Sequence, residues 1–271
     1  METNMKYLVY NHHNFWQWEP SNSELVDAEV VFMWADFPFA QHVRTLKGLG
    51  KKVVVFEHGF GALYDYELNN REPMADGYLA LGQGSFMSLV RKGVPMSKIL
   101  ITGNPIYDDI KKTKHTGNKA LFVALHWVKD MSIYNQVLFD QLVKAYPELD
   151  WTVKLIDKSG DITTDKGKWF NNVESDTILA DIKEKLPSYD MVFTPNPSTF
   201  ESFARLMGIP VYVVDEHEAF KASGEPNRMP MNNTYLKIGD KLPRQKKIDM
   251  DEHIQRPSLD LIDIAIWATQ L

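Results

Sequence analysis

Short apolar runs rich in valine and isoleucine alternate along this chain with longer amphipathic stretches. Parallel strands joined by crossover helices give this alternation, because helices cover both faces of a parallel sheet. The pattern therefore predicts an α/β fold with parallel sheets. The 271 residues are 44% hydrophobic and 24% charged, which is the balance of a globular protein that can bury a core.

The alternation runs through two halves of the chain. In the first half, apolar runs predict strands at Tyr7–Tyr10, Val30–Met33, Val53–Phe56, Tyr78–Leu81 and Ile99–Thr102, with helices at Phe39–Leu49 and Ser85–Lys92. In the second half, strands are predicted at Leu121–Leu125, Thr152–Ile156, Met191–Thr194 and Val211–Val214, with helices at Ile133–Ala145, Thr177–Leu186 and Phe200–Met207.

The segment between the halves, Tyr107–Lys119, is charged and lacks apolar periodicity, as expected of a connection between domains. We expect an N-terminal Rossmann-like domain over 1–112 and a C-terminal Rossmann-like domain over 118–256. A last helix, 257–271, starts well with Pro257 and Ser258 and has one broad apolar face. We expect it to pack back onto the body of the protein.

Several functional classes are disfavoured by composition and by missing motifs. The chain has no cysteine and a formal net charge of −6, so it has no thiolate chemistry and no global attraction to nucleic acid. No apolar run approaches the roughly 20 residues of a membrane span, and we expect a cytoplasmic protein. The glycine-rich dinucleotide motif, the P-loop, the H-E-x-x-H zinc motif and the serine-hydrolase elbow are all absent.

Ligands of open parallel sheets bind beyond the carboxyl ends of the strands, and these positions are polar here. They carry His12, His13 and Asn14, Glu57 and His58, Asn104, His126 to Lys129, and Thr194 to Thr199. The last run, TPNPST, directly precedes a predicted helix, whose free N–H groups could bind a phosphate. Alternatively, Ser198 or Thr199 only caps that helix.

The stretch Phe56–Ile110, with its EHG, NNR, GVP, KI and TGNP elements, resembles non-hydrolysing UDP-GlcNAc 2-epimerases and GT-B glycosyltransferases. VALHWVKD (Val123–Asp130) and PSTFESFARLMGIPVYVVD (Pro197–Asp215) resemble the histidine segment and the donor-binding helix of their second half. The resemblance implies two facing Rossmann-like domains and a C-terminal helix crossing back. It also implies a nucleotide-diphosphate sugar, held mostly by the second domain, and no metal or other cofactor.

Departures from the epimerase pattern favour a glycosyltransferase. His126 is followed by Trp127, whereas epimerases usually have arginine there. Glu57 and Glu67 match two of the epimerase acids, but the first-half aspartate has no counterpart. The first hypothesis is therefore a metal-independent GT-B glycosyltransferase that uses a UDP-sugar. A sugar-nucleotide epimerase and a non-catalytic nucleotide-sugar binder are the alternatives.

The resemblance also assigns roles to residues. His58-Gly59 matches a His-Gly of related transferases, in which the histidine deprotonates the acceptor hydroxyl, and a histidine pKa near neutrality suits that task. Glu57 or Asp65 would orient His58 or act in its place. The donor side is predicted to comprise His126, Trp127, Lys129, Lys154, Asn196, Ser198, Thr199, Glu201 and Glu216, and the acceptor side His12, His13, Asn14, Arg71 and Asn104.

Two further expectations concern the nucleoside. In the family, a ribose-binding carboxylate usually stands at the position that holds Phe203 here. Glu201 lies two residues earlier, about 200° around a helix, so Glu216 or Glu218 could substitute for it. Trp127, Phe193 or Phe200 could stack on a base, although we expect Phe193 to lie in the core.

The acceptor is not identified by the sequence. Compact GT-B transferases of bacteriophages modify hydroxymethylated DNA bases, so DNA is one candidate. Two basic stretches, Lys111–Lys119 and Arg244–Lys247, would then contact the phosphate backbone. On the alternative interpretation these lysines and arginines are simply solvated.

Overall fold

The computed structural model describes the chain apart from residues 1–6, 10–26, 37–38, 58–62, 64, 69, 125–130, 157–161, 172–177, 196–198, 215–233 and 246–248. The chain forms two compact units. The first comprises Met1–Asp108 together with Asp251–Leu271, and the second comprises Asp109–Met250. No helix of the described part is both long and apolar enough to cross a membrane.

The sheet of the first unit has five parallel strands in the order β1-β2-β3-β4-β5. They are β1 (Tyr7–Val9), β2 (Val30–Met33), β3 (Lys52–Phe56), β4 (Gly77–Ala80) and β5 (Ile99–Ile101). Each matches a strand predicted from an apolar run, to within two residues at either end. The central strands are buried on both faces, as is typical of parallel sheets.

Helices cover both faces of this sheet. The connections between strands contain α1 (Ala40–Gly48), α2 (Asp65–Leu68) and α3 (Gln83–Arg91). Helices α1 and α3 contribute Val43, Leu46 and Leu89 to a hydrophobic core, to which the strands contribute every second residue. The C-terminal helix, Leu261–Thr269, contributes Ala268 and Trp267 to a second cluster with the remaining strand residues. The last helix thus packs back onto the first sheet, as predicted.

The segment before the C-terminal helix lies directly on the carboxyl ends of β4 and β5. The N–H of Gln255 donates to the carbonyl of Leu81 at 2.7 Å, and the N–H of Leu259 donates to that of Thr102 at 2.8 Å. Gly103 adopts a φ of +67°, and a Cβ there would overlap the carbonyl oxygen of Gln255. Only glycine therefore allows the chain to approach this closely.

The second unit contains a six-stranded parallel sheet in the order β11-β10-β9-β6-β7-β8. Its strands are β6 (Lys119–Val123), β7 (Asp150–Ile156), β8 (Gly167–Asn171), β9 (Met191–Thr194), β10 (Val211–Val214) and β11 (Thr234–Leu236). In the described part of this unit, the connections contain α4 (Met131–Ala145), α5 (Ile178–Lys185) and α6 (Thr199–Met207). Phe139, Trp151 and Phe193 pack together in the core, where Phe193 was expected.

Two strands of this unit were not predicted. β8 reads GKWFN and β11 reads TYL, and both are edge strands without a valine or isoleucine run. Edge strands are buried on fewer sides, so they carry exposed residues such as Phe170 and Tyr235, at 48% and 47% exposure. The apolar sequence pattern that predicts a strand is therefore weak in β8 and β11.

A fully buried carboxylate organises the first unit. Asp36, 0% exposed, accepts hydrogen bonds from the hydroxyls of Tyr66 (2.5 Å) and Tyr78 (2.6 Å) and from the N–H groups of Met74 (2.7 Å) and Ala75 (2.8 Å). Burial, followed by the charge of Asp36, raises the pKa of both tyrosines. The network joins the end of β2, helix α2 and the start of β4.

We expect Asp36→Asn to lower the free energy of unfolding of the first unit by about 3 kcal/mol. The NH2 group of asparagine is a donor, and it would face hydroxyl or N–H donors at a place where a carboxylate oxygen of Asp36 accepts. Chemical denaturation followed by tryptophan fluorescence measures the change. Glu72→Gln, an exposed carboxylate-to-amide change nearby, should stay within about 0.5 kcal/mol of wild type. Equal effects of the two variants would contradict a structural role for the Asp36 network.

Candidate functional site

Most of the predicted site residues lie outside the described part of the chain. They are His12, His13, Asn14, His58, His126, Trp127, Lys129, Asn196, Ser198 and Glu216. Asp65 and Thr199 lie in helices α2 and α6, but their side chains are not described. The roles predicted for these twelve residues remain predictions. The structure does place Glu57, Arg71, Asn104, Lys154 and Glu201.

In the first unit, Glu57 directly follows β3 and is 3% exposed. Its Oε1 accepts a hydrogen bond from the N–H of Leu63 at 3.4 Å, and its Oε2 accepts one from the N–H of Leu81 at 2.9 Å. The carboxylate therefore holds the main chain at Leu63 and the main chain just after β4.

The two predicted acceptor-side residues that the structure describes differ in their surroundings. Asn104 follows β5, and its Oδ1 accepts from the N–H of Ile106 at 3.1 Å, which caps the short turn that follows. Arg71 is exposed, and its N–H donates to the carbonyl of Tyr66 at 2.9 Å. Asn104 thus has a local structural role as well as its place at a strand end.

Glu67, which matches an epimerase acid, is held in an ion pair. Its two carboxylate oxygens accept from Nε and an Nη of Arg91, each at 2.7 Å, and Oε2 also accepts from the hydroxyl of Ser88 at 2.9 Å. The hydrogen bonds of Arg91 are the main reason that the pKa of Glu67 is lowered. A carboxylate held in its ionised form is a poor proton donor.

A small cavity of about 250 Å³ lies at the carboxyl ends of β4 and β5 in the first unit. It is lined by Gly82, Gln83, Ile101, Asp251, Gln255 and Arg256. Two of these lining residues form an ion pair, in which the guanidinium of Arg256 lies 3.4 Å from the carboxylate of Asp251. None of the predicted site residues that the structure describes lines the cavity.

In the second unit, Lys154 lies in β7 and is 2% exposed, although a lysine in a strand is usually solvated. It pairs with Val123 of β6 and with Trp169 of β8, two residues before the carboxyl end of β7. Its neighbours Trp151, Val153 and Leu155 point to the opposite face and join the core there. Lys154 and Trp169 therefore share the other face of the sheet.

The ammonium group of Lys154 lies against two aromatic rings of the described residues. It lies 4.9 Å from the centre of the Phe200 ring and 5.6 Å from that of Trp169. Trp169 also stacks on Tyr189, with ring centres 6.1 Å apart and an interplanar angle of 2°. Cation–π contacts of this kind stabilise a partly desolvated cation by up to about 2 kcal/mol.

No carboxylate and no hydrogen-bond acceptor contacts the ammonium among the residues that the structure describes. Burial alone lowers the pKa of Lys154 to about 8. Phe200 belongs to the first turn of α6, so the ammonium lies beside the positive end of that helix dipole. Two sources of positive potential thus meet here without a described counter-charge, which is an arrangement suited to an anion.

Glu201 also lies in the first turn of α6 and is 1% exposed. Its Oε1 accepts from Nε of Arg205 at 2.6 Å and from an Nη at 2.5 Å. Burial raises the pKa of the Glu201 carboxyl, and the Arg205 guanidinium offsets part of this effect. Its Oε2 is buried and has no hydrogen-bond partner in the described part of the chain, so one acceptor atom is left over.

Trp169 and Arg205 were not singled out from the sequence. Trp169 belongs to the edge strand β8, which has no apolar run, so no sequence pattern predicted its contact with Lys154. Arg205 lies four residues after Glu201, and this i,i+4 spacing on a predicted helix is the signal that could have identified the pair. No group of three or more histidine, aspartate or glutamate residues in the described part could hold a metal ion.

Comparison with known proteins agrees with this fold. No protein-family profile matches the chain. UDP-N-acetylglucosamine 2-epimerase of Yersinia pestis is 27% identical over 188 residues, which cover 66% of this chain and 44% of the epimerase. The chain thus spans less than half the length of this relative.

Solved structures extend the comparison. UDP-GlcNAc 2-epimerase of Methanocaldococcus jannaschii, solved with UDP-GlcNAc and UDP, aligns with a TM-score of 0.50 at 12% identity, over 84% of this chain and 72% of that one. Alr3699/HepE of Anabaena, solved with UDP-glucose, aligns with a TM-score of 0.45 at 13% identity, over 80% and 67%. The fold is that of GT-B proteins, as the sequence resemblance implied.

A buried charge without a described partner should cost stability when no ligand is bound. We expect Lys154→Met, which keeps the length of the side chain, to raise the free energy of unfolding of the second unit by up to about 3 kcal/mol at pH 7. The folded-state pKa of Lys154, about 8, is below its unfolded value. The gain should therefore shrink as the pH rises through 8 and should vanish above the unfolded pKa.

Chemical denaturation at a series of pH values measures this effect. Lys166→Met changes an exposed lysine of the same unit and should have an effect within about 0.5 kcal/mol at every pH. Destabilisation by Lys154→Met at pH 7 would show instead that the ammonium makes a favourable interaction in the unliganded protein.

Proposed function

We propose that this chain is a metal-independent GT-B glycosyltransferase that binds a nucleotide-diphosphate sugar, most suitably a UDP-sugar, at the carboxyl edge of its second sheet. The buried ammonium of Lys154 beside the first turn of α6 is the observation that carries the proposal. A diphosphate would supply the counter-charge that the described residues do not. The relatives solved with UDP, UDP-GlcNAc or UDP-glucose make this ligand class the natural candidate.

In the proposed reaction, negative charge develops on the leaving diphosphate as the bond between the anomeric carbon and the phosphate oxygen breaks. Lys154 and the N–H groups of α6 would stabilise that charge, together with Lys129, Ser198 and Thr199. The bonding electrons leave with the nucleoside diphosphate.

On the acceptor side, His58 would take the proton of the attacking hydroxyl, whose oxygen forms the new bond to the anomeric carbon. Trp127 and His126 are proposed to contact the donor. Oε2 of Glu201, which has no hydrogen-bond partner among the described residues, would accept from a ribose hydroxyl, and Glu216 is the alternative for that contact.

Epimerisation of a UDP-sugar is the second candidate, because a curated relative of 27% identity is an epimerase. The first-unit carboxylates argue against it. Glu67 is held by Arg91 with a lowered pKa, and Glu57 accepts two main-chain hydrogen bonds. Neither carboxylate is placed to deliver a proton to a substrate, as an epimerase acid must. A non-catalytic nucleotide-sugar binder remains the third candidate.

Lys154→Met should weaken UDP binding by about 10- to 100-fold, since a desolvated charge-assisted contact to phosphate is lost. Isothermal titration calorimetry with UDP, UDP-GlcNAc and UDP-glucose measures the change, with Lys166→Met as the control. A ligand that binds only the folded protein should also raise its melting temperature. Unchanged UDP affinity in Lys154→Met would refute the assignment of this site.

Incubation with UDP-GlcNAc in the absence of an acceptor separates the two enzymatic candidates. A transferase should leave the donor unchanged until a hydroxyl acceptor is added, whereas an epimerase should convert it to the 2-epimer, and anomeric-proton NMR detects either outcome. Epimer formation without acceptor would refute the transferase. His58→Ala should lose transfer activity but retain UDP binding. If this variant binds UDP normally and the wild type forms no product, the protein is a non-catalytic nucleotide-sugar binder.

For the acceptor we propose a hydroxyl compound, with a hydroxymethylated DNA base as one candidate. Lys111, Lys112, Lys114 and Lys119 are exposed, and four phosphate contacts would make DNA affinity fall steeply with salt. Activity on a small sugar that is insensitive to salt would identify a glycan acceptor instead.

A further inference from the structure

Trp169 adds a buried hydrogen-bond donor to the sheet face that Lys154 occupies. It is 5% exposed, and it pairs directly with Lys154 across β7 and β8. Its Nε1 is buried and has no hydrogen-bond partner in the described part of the chain. An indole N–H can only donate, and the N–H of a buried tryptophan usually has a partner because an unmet donor costs free energy. Two buried donors, one charged and one neutral, thus share this face without a described acceptor.

Trp151 shows how the same sheet accommodates a tryptophan on its opposite face. It lies in β7, three residues before Lys154, and it is also buried. Its Nε1 donates to the carbonyl of Tyr146 at 3.1 Å, so this N–H is satisfied within the core. Burial alone therefore does not leave an indole N–H of this unit without an acceptor.

The ring of Trp169 is fixed by two other aromatic side chains. It stacks on Tyr189 and meets the ring of Phe200 edge to face, with ring centres 5.8 Å apart. A ring held in this way directs its N–H along one line, whereas a lysine ammonium is a point charge with three rotatable donors. Trp169 can therefore orient a ligand that Lys154 attracts.

Two cations lie over the Trp169 ring. The Nζ atom of Lys154 is 5.6 Å from the ring centre and that of Lys185 is 5.9 Å from it. An aromatic ring is negative at its face and positive at its edge, where the N–H lies. Cations at the face draw electron density towards it and so make the N–H at the edge a stronger donor. Lys185 pairs with Asp181 at 3.2 Å, so its charge is partly offset.

The acceptor that best matches these two donors is an anion. Nε1 is an atom of the ring whose centre lies 5.6 Å from the ammonium, so one small group can reach both. A neutral carbonyl would satisfy the N–H but would leave the charge of Lys154 uncompensated in a buried place, which is costly. A phosphate carries several oxygens that accept from different donors at once, and α6 begins beside the ammonium.

We propose that Nε1 of Trp169 donates to the same phosphate group or diphosphate that Lys154 binds, and so fixes its orientation. The proposal deepens the proposed function and rests on it for the identity of the anion as the diphosphate of a nucleotide sugar. The ring packs against Tyr189 and Phe200, so its N–H, and not its face, meets the ligand. A ligand contact is thereby assigned to the edge strand β8.

The first experiment compares the affinities of wild type and Trp169→Phe for UDP and for inorganic pyrophosphate by isothermal titration calorimetry. The variant keeps an aromatic ring and loses the N–H, so both affinities should fall by the same factor of about 10, as expected for one hydrogen bond to a charged acceptor. A loss for UDP without a loss for pyrophosphate would place Trp169 against the nucleoside and overturn the proposal. Unchanged affinity for both ligands would overturn it as well.

Trp151→Phe is the matched control, because it makes the same substitution on the other face of the sheet. It should lower the free energy of unfolding, since the carbonyl of Tyr146 loses its donor. Both affinities should stay within about 2-fold of wild type, as expected for a site that shares no partner with the ligand. Equal losses of affinity in Trp151→Phe and Trp169→Phe would reveal a general effect of disturbing the sheet and would overturn the proposal.

The Nε1–H resonance of Trp169 in the wild-type protein provides a test that needs no variant. The chain has seven tryptophans, and the ring contacts with Tyr189 and Phe200 assign this resonance. On UDP binding it should move downfield, and its exchange with water should slow by about 10-fold, because the N–H gains an acceptor. The resonance of Trp151 should not move. An unmoved Trp169 resonance at saturating UDP overturns the proposal.

These measurements separate the role of Trp169 from the proposed function. If Trp169→Phe weakens the binding of both ligands but wild type transfers no sugar, the transferase fails and the anion contact stands. If transfer is observed while neither the affinities nor the Trp169 resonance respond, the transferase stands and the contact fails. If wild type binds neither UDP nor pyrophosphate, both fail.

Discussion

All the strand pairs that the structure describes in the two sheets are parallel. Parallel strands cannot be joined by tight turns, so each connection must cross a face of the sheet and return to its starting edge. The carboxyl ends of all strands in a sheet consequently lie at the same edge. This constraint brings residues that are distant in sequence, such as Glu57 and Leu81, or Lys154 and Phe200, into contact.

Three of the buried charged residues that the structure describes, Asp36, Glu57 and Lys154, are of two kinds. Asp36 and Glu57 are held by hydrogen bonds from their own unit, so they stabilise the arrangement that they join. Lys154 differs, because desolvation disfavours its charged form and no described acceptor offsets that penalty. A group of this kind persists in a fold where its function outweighs its cost in stability. It is therefore the strongest indication of a ligand in the described part of the chain.

The sequence predicted the fold well where strands are buried on both faces. The central strands β3, β6 and β9 read as apolar runs, whereas the edge strands β8 and β11 carry too few apolar residues to be recognised. The burial of Lys154 could not be predicted for the same reason. A lysine in a strand is usually solvated, and its burial depends on Trp169, which belongs to the unrecognised strand β8.

The last helix has a consequence for how the protein is made. Residues 109–250 form the second unit from one continuous stretch of chain, whereas the first unit is completed only by residues 251–271. During translation, the second unit therefore has all its strands available while the first sheet still lacks the helix that covers its second face. Phe32 and Leu79, which pack with Trp267 and Ala268 in the folded unit, therefore remain uncovered by this helix until residues 261–269 have been synthesised.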